Sequence, residues 1–242
     1  QVITYGIDQR ADVIAKNIVI NGHGTSFDVE TFIGSIRLTL QLVGKFSVYN
    51  ALAAVACCLL EGVPLDIIKN ALERIAGVDG RFERVDAGQD FTVLVDYAHT
   101  PDSLENVLKT VTEFAQGRVF CVVGCGGDRD RTKRPLMAQI AVQYSDVAVL
   151  TSDNPRSEEP ERILNDMVAG LKNVDRERYT VIPDRREAID FTIQQVNAGD
   201  VVLIAGKGHE TYQEIKGKRY EFDDRKVAHQ SLTNRLTSEN NC

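Results

Sequence analysis

The segment Thr151-Ser152-Asp153-Asn154-Pro155-Arg156 places a carboxylate, an amide and an arginine within a few residues. It follows the apolar run 147–150 and precedes a helix-start signal at 157–160, so we expect it where a strand ends. Arginine carries a planar, permanent charge that grips a carboxylate with two parallel hydrogen bonds. The segment therefore has the chemistry to bind an acidic substrate, although Asp-Asn-Pro is equally typical of a solvated turn.

Three other polar loops follow apolar runs in the same way. They are Asp96-Tyr97-Ala98-His99-Thr100-Pro101, Gly124-Cys125-Gly126-Gly127-Asp128-Arg129-Asp130 and Gly206-Lys207-Gly208-His209-Glu210. Loops that follow parallel strands emerge at one edge of a sheet, where ligands of such sheets bind. The sequence therefore predicts one ligand-binding cleft. The side chains that it would bring together are His99, Arg129, Arg156, Lys207, His209 and Glu210.

Some of these residues also allow a purely structural interpretation. His99 would contact a phosphate or a carboxylate, or would hydrogen-bond within its own loop. Lys207 belongs to the cleft or is a solvated surface lysine. Asp96 could accept a hydrogen bond from a ribose hydroxyl or cap the following helix, although it stands several residues early for a cap.

The glycines of the 124–127 loop would let the backbone approach a ligand and present N–H groups to an anion. The loop does not complete the dinucleotide motif G-x-G-x-x-G, because Arg129 stands at the third glycine position, which disfavours an NAD-dependent oxidoreductase. The phosphate-loop motif G-x-x-x-x-G-K-[ST] is absent from the sequence too, since Gly44-Lys45 is followed by Phe46. The chain has no phosphate loop of its own.

The elements that must position these loops follow from hydrophobic periodicity. Residues 1 to about 43 are predicted to form short strands with a hairpin turn at 21–24, followed by helices at 46–60 and 64–75 and a boundary near 77–80. Beyond it, strands alternate with helices. Strands are expected at 91–95, 119–123, 147–150, 179–182 and 201–205, helices at 101–116, 134–144, 161–172 and 185–197, then a hairpin at 211–222 and a helix from 223. This alternation predicts an α/β fold with a mostly parallel sheet covered by helices on both faces.

Composition limits the class of protein. With 242 residues, of which 43% are hydrophobic and 26% charged, the chain suits one or two globular domains. A formal charge of −7 argues against nucleic-acid binding, and no apolar stretch is long enough for a membrane span. The sequence begins at Gln1 with neither an initiator Met nor a signal peptide, so we expect a segment cut from a longer protein.

Five cysteines occur, and none belongs to a Cys-x-x-Cys pair: Cys57, Cys58, Cys121, Cys125 and Cys242. The odd count and the spacing favour reduced thiols in the cytoplasm over a disulfide framework or a zinc site. We therefore expect no metal site in this chain.

The ordered motifs are Gly80-Arg81-Phe82-Glu83, the loop 96–101, the loop 124–130 with Lys133-Arg134-Pro135-Leu136-Met137, Asp153-Asn154-Pro155-Arg156, and the loop 206–210. Together they resemble the motifs of the Mur ligases, and within that family the enzymes that add meso-diaminopimelate. The resemblance runs from about Phe27 to Leu232. It implies that residues 1–79 are the C-terminal part of a central ATPase domain without its phosphate loop, and that residues 80–242 are a Rossmann-like C-terminal domain.

The resemblance implies an ATP-dependent ligase of peptidoglycan synthesis. Such an enzyme joins meso-diaminopimelate to the D-Glu γ-carboxylate of UDP-MurNAc-L-Ala-D-Glu through an acyl phosphate. ATP and Mg²⁺ would be its cofactors, with the magnesium ligands mainly upstream of this chain, and the enzyme would be a cytoplasmic monomer. The chain alone is expected to be inactive. The alternatives are a stand-alone amino-acid or nucleotide-binding module, and a Mur-like ligase for another amino acid.

The resemblance also implies roles for individual residues. The positions that match diaminopimelate-binding residues are Arg129, Asp153, Asn154, Pro155, Arg156, Gly206 and Glu210. Arg156 would hold the distal carboxylate, which lysine lacks, and Glu210 would accept from the distal ammonium. The positions that match nucleotide contacts are Asn50, Arg81, Asp96 and His99. Ser47 stands where the family usually places a further asparagine.

Overall fold

The chain divides into two structural units between Gly77 and Val78 in the computed structural model, which describes residues 2–239. The elements of the first unit are β1 (Tyr5–Gly6), β2 (Val13–Asn21), β3 (Gly24–Thr31), β4 (Gly34–Leu40), α1 (Lys45–Leu60) and α2 (Leu65–Glu73). β1 pairs in parallel with β2, and β2, β3 and β4 form an antiparallel meander. The β2–β3 hairpin turns within residues 21–24, as the sequence predicted.

The core of the first unit joins one face of this sheet to α1. Phe27 and Val29 alternate with more exposed residues along β3, so both point to the same face. They pack with Val48, Leu52 and Val55 of α1, which recur at helical spacing.

The second unit contains a six-stranded sheet. Its elements are β5 (Glu83–Val85), β6 (Thr92–Asp96), α3 (Pro101–Phe114), β7 (Val119–Cys125), α4 (Lys133–Tyr144), β8 (Val147–Ser152), α5 (Pro160–Val168), β9 (Tyr179–Val181), α6 (Arg185–Gln195), β10 (Val201–Ala205), β11 (Tyr212–Ile215), β12 (Lys218–Glu221) and α7 (Asp224–Glu239). The strand order is β5-β6-β10-β7-β8-β9, and every pair is parallel except β5 with β6. β11 and β12 form a separate hairpin.

Helices cover both faces of the six-stranded sheet, as predicted. α6 and α7 pack on one face through a core that includes Val95, Val122, Val149, Ile204, Ile189 and Ala228. α3, α4 and α5 contact one another and the strands, and bury Leu104, Leu108, Met137, Ile163 and Met167. The long apolar runs of the strands follow from this double burial. No helix within residues 2–239 is long and apolar enough to cross a membrane.

Three elements differ from the sequence-based expectations. β7 and β8 each continue two residues further than expected, because Gly124 pairs with Thr151 and Cys125 with Ser152. A Cβ on Gly124 would lie 2.6 Å from the Thr151 carbonyl oxygen, so the missing side chain permits this pairing. The antiparallel strand β5 was not predicted at all. The helix expected at 161–172 instead ends at Val168 and is followed by a 3₁₀ turn at Ala169–Leu171.

Candidate functional site

β6, β7, β8 and β10 run in parallel and end at one cleft of about 400 Å³, and each of the four predicted loops contributes to its lining. The charged residues that line it are Arg129, Asp130, Lys133, Asp153, Arg156 and Glu210, together with His99. The structure thus brings His99, Arg129, Arg156 and Glu210 together as expected, whereas Lys207 and His209 do not line the cleft. Because both cations and carboxylates line it, the cleft suits a ligand that carries both charges.

Arg156 is held from several directions. Its backbone has a φ of +52°, a conformation that side chains rarely adopt. The hairpin β11–β12 stabilises it, since Arg156 N–H donates to the Glu214 carbonyl at 2.9 Å and Lys216 N–H donates to the Arg156 carbonyl at 2.6 Å. The guanidinium donates from Nη1 to the Gly127 carbonyl at 2.9 Å, and Nε lies 3.9 Å from Glu214 Oε2. The side chain is therefore oriented before any ligand arrives.

Gly126 and Gly127 allow residues 153–156 to pack closely on the 124–127 loop. A Cβ on Gly127 would lie 1.9 Å from the Pro155 carbonyl oxygen, and one on Gly126 would lie 2.8 Å from Arg156 Nη1. The Gly127 N–H already donates to the Asn154 carbonyl at 2.9 Å. The expectation that these N–H groups await an anion is therefore wrong for Gly127, because the loop packs directly on residues 153–156.

Asn154 lies at the centre of a buried polar network. Its side-chain Oδ1 accepts from the Glu214 N–H at 2.9 Å and from Lys207 Nζ at 3.2 Å, while Nδ2 donates to Glu210 Oε2 at 2.8 Å. Asp153 adds a contact to the same hairpin, since its carbonyl accepts from Gln213 Nε2 at 2.6 Å. Lys207 is completely buried, so the interpretation as a solvated lysine is wrong. Its ammonium has two oxygen partners, which is how a protein accommodates a buried charge.

Gly206 and Pro155 contribute through their backbones. A Cβ on Gly206 would lie 2.7 Å from Asp153 Oδ2, so only glycine lets β10 end this close to residue 153. Pro155 is buried but does not line the cleft.

The aromatic ring of Tyr97 organises the loop after β6. His99 and His209 pack against it in tilted orientations, with centroid distances of 4.7 and 5.2 Å, and the Arg81 guanidinium lies 4.8 Å from its centroid. His99 Nδ1 is 2.9 Å from the Tyr97 carbonyl oxygen, so the local hydrogen bond considered from the sequence is present. Arg129 is exposed, and its Nη1 donates to the Asp128 carbonyl at 3.1 Å.

Asp96 is buried at the end of β6 and accepts two backbone hydrogen bonds. Oδ2 accepts from the Phe82 N–H at 2.7 Å and Oδ1 from the Ala98 N–H at 2.8 Å. Burial raises the pKa of Asp96, and these two hydrogen bonds and the charge of Arg81 oppose that rise. The carboxylate does not cap α3, because Thr100 and Ser103 form that capping box.

Comparison with known proteins decides the family. The Mur ligase, glutamate ligase domain matches residues 80–208, which is more than half of the chain, and the Mur ligase middle domain matches residues 1–58. The chain belongs to the Mur ligase family.

Two similar curated relatives of this Mur ligase chain carry the same name. The UDP-N-acetylmuramoyl-L-alanyl-D-glutamate–2,6-diaminopimelate ligase of Bacillus cereus is 56% identical over 98% of the chain. The ligase of the same name from Geobacillus thermodenitrificans is 57% identical over 97%. The chain covers 48% of each, so it spans about half the length of the curated relatives it matches.

Solved structures agree with the fold. A structure of a UDP-N-acetylmuramoyl-L-alanyl-D-glutamate–2,6-diaminopimelate ligase superposes with a TM-score of 0.74 at 40% identity, covering 97% of this chain and 48% of that one. A UDP-N-acetylmuramate–alanine ligase from Thermotoga maritima superposes with a TM-score of 0.64 at 20% identity over 98% of this chain and 48% of its own. The second likeness concerns the fold alone.

Arg134 of this Mur ligase chain is a buried residue that supports the 124–130 loop of the cleft. Its role was not predicted from the sequence. The buried guanidinium donates to both Glu158 oxygens at 2.7 and 2.9 Å, to Asp166 Oδ2 at 2.8 Å and to the Gly126 carbonyl at 3.2 Å. The two bonds from Arg134 to Glu158, together with one from the Asp128 N–H, lower the pKa of Glu158 to about 2. The network ties the 124–130 loop to the start of α5.

Arg185 was missed in the same way. It pairs with Asp224 at 2.7 Å, and both side chains are completely buried. Its Nη2 donates to the Ala205 carbonyl at 3.0 Å and its Nη1 to the Ser152 carbonyl at 3.5 Å. The pair thus joins the ends of β10 and β8 directly before Gly206 and Asp153. The only hint in the sequence was a basic residue at the start of a helix, which normally disfavours a cation.

Asn50 and Ser47 lie in the first unit, on α1. Asn50 is exposed, whereas Ser47 is buried and its hydroxyl donates to the Val43 carbonyl at 2.9 Å. The Ser47 side chain therefore contributes to the start of its own helix.

The described cysteines are free thiols, as expected. Cys57 is exposed and Cys58 half-buried, and burial raises the pKa of Cys121 and of Cys125 to about 12. Cys242 lies outside the described residues. Within residues 2–239, no three His, Cys, Asp or Glu side chains are placed to hold a metal ion.

Proposed function

We propose that this chain is the C-terminal half of an ATP-dependent ligase that adds meso-diaminopimelate to the D-Glu γ-carboxylate of UDP-MurNAc-L-Ala-D-Glu. Residues 1–79 are the end of its central ATPase domain, and residues 80–242 are its C-terminal domain. The boundary agrees closely with the division of the structure between Gly77 and Val78. The family matches and the relatives named above support this assignment.

The observation that carries the proposal is the shared cleft of Arg156 and Glu210. Diaminopimelate differs from lysine by a second carboxylate beside its distal ammonium. Nη2 of Arg156 and Oε1 of Glu210 make no hydrogen bond with any residue from 2 to 239, so one cationic donor and one anionic acceptor remain for a ligand. This pairing matches the distal end of diaminopimelate in charge and in hydrogen-bond polarity.

The other assigned residues complete the binding site. Arg129 is exposed at the cleft and is proposed to meet the carboxylate at the other end of diaminopimelate, and Asn154 contributes its remaining N–H. Asp153, Pro155 and Gly206 shape the site through the close backbone approaches described above. None of these residues is assigned a role in bond making.

The proposed reaction has two chemical steps. The γ-phosphoryl group of ATP is transferred to the D-Glu carboxylate with release of ADP, giving an acyl phosphate, which is a better electrophile than a carboxylate. The neutral diaminopimelate amine attacks it, and the tetrahedral intermediate loses inorganic phosphate and a proton, which passes to solvent, to leave an amide. This chain's contribution is to hold the amine in place. The described residues provide no metal-binding cluster, so no step is assigned here to Mg²⁺, which we propose is held mainly by upstream residues.

Nucleotide contacts are proposed for Arg81, Asp96 and His99, and for Asn50 in the first unit. Arg81 and His99 both pack on Tyr97, which gives this group a fixed geometry. Each Asp96 oxygen already accepts one backbone N–H and keeps a lone pair for a ribose hydroxyl. The enzyme is proposed to act as a cytoplasmic monomer.

Titration calorimetry of the 242-residue chain with meso-diaminopimelate and with lysine tests the assignment. We expect diaminopimelate to bind more tightly, and Arg156→Ala to weaken that binding by about 2–4 kcal/mol. Arg162→Ala, at an exposed arginine of α5, is the matched control and should bind like the wild type. The proposed role of Arg156 would be wrong if the wild type bound both amino acids equally, or if Arg156→Ala bound diaminopimelate as tightly as the wild type.

Turnover separates the ligase from a stand-alone binding module. The purified chain has no phosphate loop and should not catalyse ATP-dependent ligation. Robust ligation by the chain alone would contradict the proposal. Codons for G-x-x-x-x-G-K-[ST] upstream of Gln1 would support the ligase, and a start codon there would favour the module.

A further inference from the structure

Lys207 is a completely buried charge directly behind the cleft. Its ammonium donates to Glu210 Oε2 at 2.9 Å and to Asn154 Oδ1 at 3.2 Å, and lies 5.6 Å from the Tyr212 ring centroid. A buried ammonium is strongly destabilising unless it is paired and hydrogen-bonded. The two residues that stabilise it both line the cleft, whereas Lys207 itself does not.

The contacts of Lys207 leave the two Glu210 oxygens unequal. Oε2 accepts from Lys207 Nζ and from Asn154 Nδ2, at 2.9 and 2.8 Å. Oε1 accepts from no residue between 2 and 239. Since the side-chain rotamer is fixed by two donors on Oε2, Oε1 is the oxygen left for a donor on a ligand.

The same lysine, together with the backbone of Glu214, holds the Asn154 amide in one orientation. Oδ1 accepts from Lys207 Nζ and from the Glu214 N–H, so both of its acceptor positions are used. The amide then keeps one free N–H and no free acceptor. Asn154 can therefore donate to a ligand carboxylate but cannot accept from a ligand ammonium.

We propose that Lys207 is a positioning residue for substrate selection: it orients Glu210 to receive the distal ammonium of the amino acid and restricts Asn154 to donating. This inference rests on the proposed function, because it concerns how the same cleft distinguishes a diamino dicarboxylate from related dicarboxylates. Lys207 touches no ligand in this arrangement, so its effect passes entirely through Glu210 and Asn154.

The informative ligand pair is meso-diaminopimelate and 2-aminopimelate, the same dicarboxylate with one ammonium fewer. We expect the wild-type chain to bind diaminopimelate on the order of ten- to a hundredfold more tightly, because a charge-assisted hydrogen bond to Glu210 is lost in the analogue. Lys207→Met and Glu210→Gln should each weaken the hydrogen bond between the ligand ammonium and residue 210. Each should therefore reduce the ratio of the two affinities to below about threefold. The double variant should lower it no further than either single change.

Lys226→Met is the control for replacing a lysine, since Lys226 is an exposed partner of Glu221 outside the cleft, and it should keep the wild-type ratio. Thermal unfolding reports whether each variant folds. If Lys207→Met does not fold, Lys207→Leu supplies a smaller replacement that also lacks a donor, and the same loss of the ratio is expected.

The outcomes separate the two proposals. If the wild-type chain binds neither ligand, the proposed amino-acid site fails and this inference fails with it. If the wild type prefers diaminopimelate and a folded Lys207 variant keeps that preference, Lys207 is only structural and this inference alone is wrong. A general loss of affinity for both ligands at an unchanged ratio also contradicts it.

Discussion

The Arg156 guanidinium and the Gly127 carbonyl are joined by a 2.9 Å hydrogen bond that links two loops of the cleft. The Gly127 N–H donates back to the carbonyl of Asn154 at 2.9 Å, so the two loops are connected in both directions. Residues 124–127 therefore form the surface on which Arg156 is positioned.

Gly127→Ala should disrupt this surface. A Cβ would lie 1.9 Å from the Pro155 carbonyl oxygen, which is backbone and cannot move alone. We expect a destabilisation of about 1–3 kcal/mol and at least a tenfold loss of diaminopimelate affinity, as overpacking shifts residues 153–156. Calorimetric titration and thermal unfolding measure both. Gly6→Ala, where the nearest atom would be 3.7 Å away, should leave both quantities close to wild type. Wild-type affinity in Gly127→Ala would show that the loops do not need this close approach.

Glu158→Gln should change how stability depends on acid. The hydrogen bonds from Arg134 hold the pKa of Glu158 at about 2, below its ordinary value of 4.5. A carboxylate with a lowered folded-state pKa stabilises the protein fully above its unfolded value and loses that contribution as the pH falls. Between pH 4.5 and about 2, the wild type should therefore lose about 1–2 kcal/mol more than Glu158→Gln, after allowance for solvent screening.

Urea unfolding followed by circular dichroism at several pH values measures that difference. Glu161→Gln, at an exposed glutamate in the first turn of α5, is the control and should retain the wild-type acid dependence. Parallel curves for the wild type and Glu158→Gln would show that the Arg134 network does not stabilise the charged carboxylate.

The parallel strands and their loops were predictable because each strand is a long apolar run and each loop begins with glycine or a polar residue. β5 was not predictable, since Glu83 to Val85 is short and mixed in polarity and becomes a strand only by pairing with β6. The burial of Lys207 was invisible for a related reason. One of its two partners, Asn154, lies 53 residues away, and no local pattern marks a lysine that the fold will bury.

The glycines of the 124–127 loop also show what the sequence could not predict. Their spacing correctly indicated close backbone approach in the 124–127 loop, but not what approaches. The neighbour of Gly127 is the Pro155 carbonyl rather than a ligand, and this depends on the β7–β8 register, which sequence periodicity does not specify. That loops after parallel strands meet at one cleft was predictable, whereas the exclusion of Lys207 and His209 from its lining and the contacts between the loops required the structure.

Asp96→Asn should change how the free energy of unfolding depends on pH above 3.8. Burial raises the pKa of Asp96 above its ordinary 3.8 in the folded state. For an acid shifted upward, the folded state binds more protons than the unfolded state, so stability falls as the pH rises from 3.8 through the folded-state pKa. The variant cannot titrate and should lose this decline. Asp90→Asn, at an exposed aspartate before β6, is the control in the same urea experiment. An identical decline in Asp96→Asn would assign the titration to another group.

Arg185 and Asp224 give a test of how the strand ends hold the site. Arg185→Met alone leaves Asp224 as a buried, unpaired carboxylate and should destabilise the chain by about 3–5 kcal/mol. The double variant with Asp224→Leu removes that charge and should recover part of the loss, although the Ala205 and Ser152 carbonyls still lack their donor. Because those carbonyls directly precede Gly206 and Asp153, the recovered double variant should still bind diaminopimelate at least several-fold more weakly than the wild type. Full recovery of stability together with wild-type affinity would show that Arg185 only neutralises Asp224 and does not position the strand ends.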